Sequence, residues 1–409
     1  MKILHITTSS KGGAGIAALR LHEGLCKEGV ASAYLSTNKT TTFQNIEVED
    51  SFFKYHRSGF FKRILRKIKS IISPSQSQKL SFQLAKIDAQ LSYEILSLPF
   101  SSYALEEHPL VKEADIINLH WIGKLIDYPT FFKSVDKPIV WTLHDMNPFE
   151  GIFHYQMDKL KNSLAKSIDL QVFTLKREAI SAIKIGAIVS PSQWMLDWER
   201  KSSMFQDFET HVCIPNSLGT SYLGFDKKAA RNSLGMALGE KVLLFSAASF
   251  SNPRKGMDIL VKAINSLSIN ITLLTLGKGV INTSNKNVKV IPLGFKASQE
   301  EIAQCYAAAD VFVLPSKEDN LPNTMLESLA QGTPVISFGN GGMREVIIEG
   351  IYGMIVPEET SEALKKAIES FFTNRIEFSS ETIRQFAQEQ FNYKKQAEAY
   401  IKVYQQLTS

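Results

Sequence analysis

The 409-residue sequence lacks the marks of several protein classes. It has three cysteines, Cys26, Cys213 and Cys305, far apart and without CxxC spacing. Scattered thiols in odd number exclude a disulfide framework and a thiolate metal knuckle, and fit a reducing cytoplasm. No run approaches the ~18 consecutive apolar residues that a membrane span needs. The opening residues, Met1 to Thr8, pass from a short apolar run into a glycine-rich turn, which reads as a buried strand and not a secretory signal. The net charge is only +5, a mild excess for this length that argues against a general nucleic-acid binder. Repeats and low-complexity tracts are absent.

What is present is ordinary globular material, 44% hydrophobic and 21% charged, enough for a core in each of two domains. Short apolar runs alternate with helical patterns, the mark of β-α-β units on parallel sheets. The first half is expected to hold strands at Lys2–Thr7, Ala31–Leu35, Ile116–Leu119, Ile139–Leu143 and Ala187–Ser190. The second is expected to hold them at Val242–Ala247, Asn270–Leu276, Val288–Pro292, Val311–Leu314 and Pro334–Phe338. The step at Pro215-Asn216 separates the two series, which predicts domains over 1–214 and 217–391, each with a doubly wound sheet. A terminal helix is expected over 392–409.

Residues 51–73 stand apart, with seven Lys or Arg and no acid. Phe61, Ile64, Leu65, Ile68, Ile71 and Ile72 share one helical face, and Lys62, Arg66 and Lys69 another. Such a basic amphipathic helix, an insertion of about 52–72, suits an anionic membrane surface. A helix docked on its domain with a solvated basic face is the plainer alternative.

Four motifs follow expected strand ends. Ser9-Ser10-Lys11-Gly12-Gly13-Ala14-Gly15 follows the first strand, and glycines at a helix N-terminus let backbone amides approach an anion. A dinucleotide fingerprint also needs an acid at the end of the second strand; Tyr34-Leu35-Ser36-Thr37-Asn38 has none, which disfavours NAD. His144-Asp145 ends another strand, where ligands of open parallel sheets bind. Asn252-Pro253-Arg254-Lys255-Gly256 offers two cations suited to clamping a diphosphate. The richest motif runs from Pro315 to Ile336. In it Asn323 or Thr324 is expected to cap a helix that ends at Gly332, with Asp319 and Glu327 bracketing its start. A carboxylate there suits hydrogen bonds from sugar and ribose hydroxyls.

The last motif resembles the signature of the family 4 (group 1) retaining glycosyltransferases, with two acids separated by seven residues. The segments VWTLHDM, SPSQWM, IPNS, NPRKG, EDNLPNTMLESLAQGTPVIS and GGMREVI look like family segments in family order over nearly the whole chain. The resemblance implies an α/β GT-B fold: two Rossmann-like doubly wound domains, an interdomain cleft and a C-terminal crossover helix. It implies a UDP- or GDP-linked sugar donor, no further cofactor and no required metal. By position, Glu327 looks like the acid that binds the donor ribose, Asp319 like the acid beside the transferred sugar and Lys255 like the diphosphate lysine. His144 is implied near the sugar. Gly12 and Gly13, Arg254, and the turn Leu321, Asn323 and Thr324 are implied at the phosphates.

The chain departs from the family pattern at three places. Asp319 stands where Glu is usual, with Glu318 beside it. Phe250 replaces an arginine five residues before the lysine, leaving Arg254 to supply that charge. Residues 150–155, Glu-Gly-Ile-Phe-His-Tyr, lack the cysteines of relatives that share the HDM segment. The expected activity is transfer to a glycan or polyprenyl-linked acceptor in capsule, exopolysaccharide or lipopolysaccharide assembly, on the inner face of the cell membrane. A nucleotide-sugar epimerase and a non-catalytic nucleotide-sugar or glycan-binding protein share the architecture and stand as alternatives.

Overall fold

The computed structural model describes residues 1–37, 75–220, 224–373 and 377–408. The basic stretch 51–73 lies outside the described residues. The chain divides into two units, Met1–Ile214 with Gln396–Ser409, and Pro215–Lys395.

The first unit is built on six parallel strands: β1 (Lys2–Ile6), β2 (Ala31–Leu35), β3 (Ile116–Leu119), β4 (Ile139–Thr142), β5 (Gly186–Ser190) and β6 (Thr210–Cys213). Their order is β2-β1-β3-β4-β5-β6, so the winding reverses between β1 and β3. β3 and β4 are buried at every residue, as strands covered by helices on both faces must be. Burying each large aliphatic side chain there contributes about 1.5–3 kcal/mol. The terminal helix Tyr393–Gln406 sets Ala397, Tyr400, Val403 and Tyr404 into the core formed with Ile3, Ile116, Val140 and Val189. Its two tyrosines are tied down by hydrogen bonds. Asn118 Nδ2 donates to the Tyr404 hydroxyl at 2.8 Å, and Tyr400 shares a hydrogen bond with Thr142 Oγ1 at 3.0 Å.

The second unit has a sheet of the same kind: β7 (Val242–Ser249), β8 (Ile271–Lys278), β9 (Val288–Gly294), β10 (Val311–Leu314), β11 (Val335–Ser337) and β12 (Gly353–Ile355). The order β12-β11-β10-β7-β8-β9 is doubly wound, with the reversal between β7 and β10. Chain leaving the carboxyl ends of those two strands lies where open α/β sheets bind ligands. Phe250, the residue that replaces an expected arginine, packs at the end of β7 with its ring 5.4 Å from that of Phe245, and is 4% exposed. It belongs to the core and contributes no polar group to the strand-end loops.

β6 and β12 are additions to the expected strands. Both close a sheet edge: β6 is half-buried to exposed, and β12 is three residues long and begins at a glycine. Neither presents the continuous apolar run by which the buried strands are read. Among the described residues no helix is long and apolar enough to cross a membrane.

Candidate site at the strand ends

In the second unit, three loops meet beyond β7, β10 and β11. The loop after β7 turns at Gly256, whose φ is +69°; a side chain there would lie 1.8 Å from the Pro315 carbonyl oxygen. The loop after β11 turns at Gly341, with φ +63°, where a Cβ would lie 1.6 Å from the Asp319 carbonyl oxygen. Only glycine permits both the left-handed backbone and these approaches. Backbone hydrogen bonds complete the joint: Lys317 N donates to Arg254 O at 2.8 Å, and Gly342 N to Asn320 O at 2.7 Å.

The loops bring three sequence-predicted residues together. Asp319 Oδ2 accepts from Lys255 Nζ at 2.6 Å and Asp319 Oδ1 from Arg254 Nη1 at 3.0 Å. The same Arg254 nitrogen donates to the Glu318 carbonyl at 2.8 Å, so Glu318 engages the guanidinium through its backbone. Burial pushes the Asp319 carboxyl up, but Lys255 and Arg254 more than offset it and hold its pKa below the ordinary value. Arg254 is the deeper cation, with its side chain 10% exposed against 22% for Lys255. Asp319 therefore sets both cations in fixed directions.

The helix that follows, Asn323–Ala330, has Pro322 as its N-cap and no side-chain cap. The expected capping by Asn323 or Thr324 is corrected here: both are helical residues, because Pro322 occupies the extended position before the first turn. Asn216, from the segment joining the units, donates to the Leu321 carbonyl at 3.3 Å and to Asn323 Oδ1 at 3.2 Å. Asn323 Oδ1 is thus an acceptor for Asn216. The helix ends as expected at Gly332, with φ +76°. Gly332 N reaches Leu329 O at 2.9 Å and Thr333 N reaches Ser328 O at 3.1 Å, the paired bonds of a Schellman stop. Glu327 is buried on this helix, 9% exposed.

In the first unit the helix Gly12–Lys27 follows β1 and has no acid in its first turn. Gly12 has φ +78°, and a Cβ on Gly15 would lie 2.2 Å from Ser9 O. Gly13 is different: its φ is ordinary and a Cβ would meet no atom within 4 Å. Nothing in the local packing demands glycine there.

His144 and Asp145 follow β4 but have separate duties. Asp145 accepts from Trp121 Nε1 at 2.7 Å, the Asn147 amide at 3.0 Å and His154 Nδ1 at 2.6 Å. Burial raises its pKa, yet His154 and these donors bring it below the ordinary value. A carboxylate saturated this way organises the loop and is not a base. His154 Nε2 continues to Ser97 Oγ at 2.8 Å. The Ser-His-Asp connectivity is that of a nucleophile relay, but Ser97 is 2% exposed and its hydroxyl is closed in beside Gly123, where a Cβ would lie 2.6 Å away. His144 is pushed down to about 4 by burial, against the opposing charge of Asp145, and is neutral near pH 7.

The loop after β4 is also pinned by Lys176, 1% exposed. Its ammonium donates to the carbonyls of Asn147 at 2.6 Å and Gly151 at 2.7 Å, and to Asn147 Oδ1 and Glu150 O at 3.1 Å. Lys176 gives no signal in the sequence, because a single polar residue inside a helical pattern has no periodicity; Asn216 stands in the domain step and His154 in the 150–155 departure, but neither segment shows the hydrogen bonds these side chains make. His120 was within reach: it stands in Leu119-His120-Trp121, immediately after β3 and beside the reversal of winding.

Residues 240–374 match the family model described as Glycosyl transferases group 1. That span contains β7 to β12 and the residues Arg254, Lys255, Asp319 and Glu327. Over 162 residues the chain is 28% identical to an uncharacterized glycosyltransferase of Methanocaldococcus jannaschii, covering 38% of this chain and 46% of that protein. Over 122 residues it is 34% identical to the lipopolysaccharide core biosynthesis glycosyltransferase LpsE of Rhizobium meliloti, covering 28% of this chain and 35% of that one. The chain thus spans less than half the length of these curated relatives. Among solved structures, Anabaena HepE in complex with UDP-glucose matches over 100% of both chains with a TM-score of 0.62 and 17% identity. With two doubly wound parallel sheets, this likeness places the chain in the GT-B fold class.

Burial of Lys176 makes stability depend on pH in a defined direction. Desolvation pulls its pKa down to about 7, against Asp145, Asp169 and Glu150. The unfolded lysine keeps its proton to about 10.4, so between those values the unfolded state binds more protons and stability rises with pH. Relative to Lys176→Met, the wild type should gain on the order of 2 kcal/mol between pH 7 and 9.5 in urea unfolding. A pH-independent difference between the two proteins would contradict the buried environment of Lys176.

Proposed function

We propose that this chain, whose residues 240–374 carry a group 1 glycosyl transferase domain, is a retaining glycosyltransferase. Its donor is a UDP- or GDP-linked sugar, and its acceptor a glycan or polyprenyl-linked glycan of surface polysaccharide assembly. The observation that carries this reading is the Arg254–Lys255–Asp319 cluster at the winding reversal of the second unit, beside a helix start with no side-chain cap.

The chemistry follows from charge. As the bond from the anomeric carbon to the leaving oxygen breaks, negative charge grows on the nucleoside diphosphate and positive character on the sugar. Lys255, the more exposed cation, meets the diphosphate, and Arg254 keeps the Glu318–Asp319 loop in place while adding its charge. Amides at the start of helix Asn323–Ala330 add the positive end of a helix dipole. Donors fixed beforehand stabilise the leaving group without rearranging as the reaction proceeds. Glu327 is assigned to the ribose hydroxyls. Asp319 is assigned to positioning, since both its oxygens are held by cations and it is therefore poorly placed to attack carbon. The diphosphate itself then receives the acceptor proton, as in the front-face route that the family resemblance implies. On the first unit, His144 is assigned a hydrogen bond to a sugar hydroxyl and the Gly12-Gly13 turn an approach to an anion. The HepE complex with UDP-glucose and the lipopolysaccharide assignment of LpsE support the donor and acceptor classes.

The basic stretch 51–73 fits this setting, because a lipid-linked acceptor lies at an anionic bilayer surface. Changing Lys62, Arg63, Arg66 and Lys67 to Glu is expected to abolish co-sedimentation with anionic vesicles and to spare transfer to a soluble acceptor. Undiminished vesicle binding would remove the membrane role.

Lys255→Ala is expected to lower turnover roughly a hundredfold or more, the scale for losing one fixed donor to a developing charge. Turnover near the wild-type value, in a coupled assay with the correct donor, would exclude Lys255 from leaving-group stabilisation.

A further inference from the structure

Four of the eight histidines lie in a row inside the first unit. His144, after β4, places Nε2 3.0 Å from His120 Nδ1; His120, after β3, places Nε2 3.0 Å from His5 Nδ1, on β1. The rings of His144 and His120, and of His120 and His5, have centroids 5.2 Å apart, and His22 lies edge-on to His5 at 5.9 Å. His5 is 0% and His120 2% exposed. The nitrogens pair along the row and do not converge on one point; among the described residues no group of three side chains is disposed to hold a metal ion.

We propose that this row is a tautomer lock, in which His5 and His120 are positioning residues that fix His144 as the neutral, Nδ1-protonated imidazole. The constraint starts at the buried end. His5 Nε2 is buried and has no hydrogen-bond partner. A buried N–H without an acceptor is rarer in folded proteins than a buried acceptor without a donor, so the His5 proton resides on Nδ1. A neutral imidazole has one proton, and each link then sets the next. His5 Nδ1–H donates to His120 Nε2, which leaves the His120 proton on Nδ1. His120 Nδ1–H donates to His144 Nε2, which leaves the His144 proton on Nδ1. Neutrality of the row agrees with burial, which lowers all three pKa values.

The consequence is a division of hydrogen-bonding roles at the strand end. His144 Nε2 is occupied as an acceptor and takes no proton from a ligand. Any partner of its other nitrogen, a sugar hydroxyl included, meets His144 as the acceptor of an Nδ1–H. The use of that donor on a sugar rests on the transfer proposed above; the tautomer itself rests only on packing.

Selective nitrogen-15 labelling of histidine tests the lock in the full chain without substrate. Long-range proton–nitrogen correlation distinguishes the two tautomers and the imidazolium, and His144→Gln and His5→Gln spectra assign the signals. Near pH 7 the signals of His5, His120 and His144 are expected to be neutral with the proton on Nδ1. In His120→Leu the donor to His144 Nε2 is gone, and the His144 signal should move toward the Nε2-protonated form. In His120→Asn an amide nitrogen stands near the lost Nδ1 and should restore the original signal. Turnover should fall roughly tenfold in the Leu variant with KM for the donor nearly unchanged, and recover in the Asn variant, as for other partners that orient a functional histidine. A wild-type His144 protonated on Nε2 or on both nitrogens overturns the proposal, as does an unchanged His144 signal in His120→Leu. The wild-type spectrum decides the matter even where the Leu variant does not fold. Because the spectra need no turnover, failure of the lock and failure of the proposed transfer are separate results.

Discussion

A carboxylate held between two cations organises the second unit: Asp319 with Arg254 and Lys255. The cations arrive on the chain leaving β7 and the carboxylate on the chain leaving β10, so the ion cluster spans the reversal of winding that the strand order creates. Removing one partner of such a cluster leaves a mostly buried charge uncompensated, which typically costs about 3–5 kcal/mol. Gly256 and Gly341 make the close loop approaches possible, and Asn216 steadies the turn before the next helix. In the proposed transfer, a diphosphate meets charges already set in place, the arrangement most favourable for stabilising a leaving group. The shorter Asp319, where a longer acid is usual in the resembling family, is sufficient to reach both cations.

The first unit solves a different problem. Its strand ends carry many polar side chains that are buried and must find partners. Asp145 is saturated by Trp121, Asn147 and His154, and Lys176 holds the carbonyls of the next turn. The Asp145 carboxylate thus has Trp121, Asn147 and His154 as its hydrogen-bond partners, and His144 is engaged elsewhere. Its Nε2 is instead tied to the histidine row, which lets one imidazole nitrogen keep a constant role at the strand end.

Strands buried on both faces were legible because burial forces continuous apolar runs, as at Ile116–Leu119 and Val311–Leu314. The edge strands Thr210–Cys213 and Gly353–Ile355 were not, since an edge needs neither length nor uniform hydrophobicity. Arg254, Lys255 and Asp319 were legible from their place just beyond strand ends. Their mutual pairing was not, because it depends on two strands that are neighbours in space and distant in sequence. The helix start was misjudged at Asn323 because capping propensity favours Asn and Thr, whereas the extended Pro322 takes the cap position. His5 and Phe250 show a common limit. A polar residue inside a strand and an apolar residue at an expected charge site declare their roles only when their neighbours are known.

The most direct measurement of the central claim is calorimetric titration of the full chain with UDP and with GDP, at low and high salt. Binding of one of them is expected, weakened by salt and lost or reduced at least tenfold in Arg254→Ala and Lys255→Ala, with the native fold retained. Binding of neither nucleotide, or binding indifferent to both substitutions, would contradict the assignment of these cations to a sugar-nucleotide diphosphate.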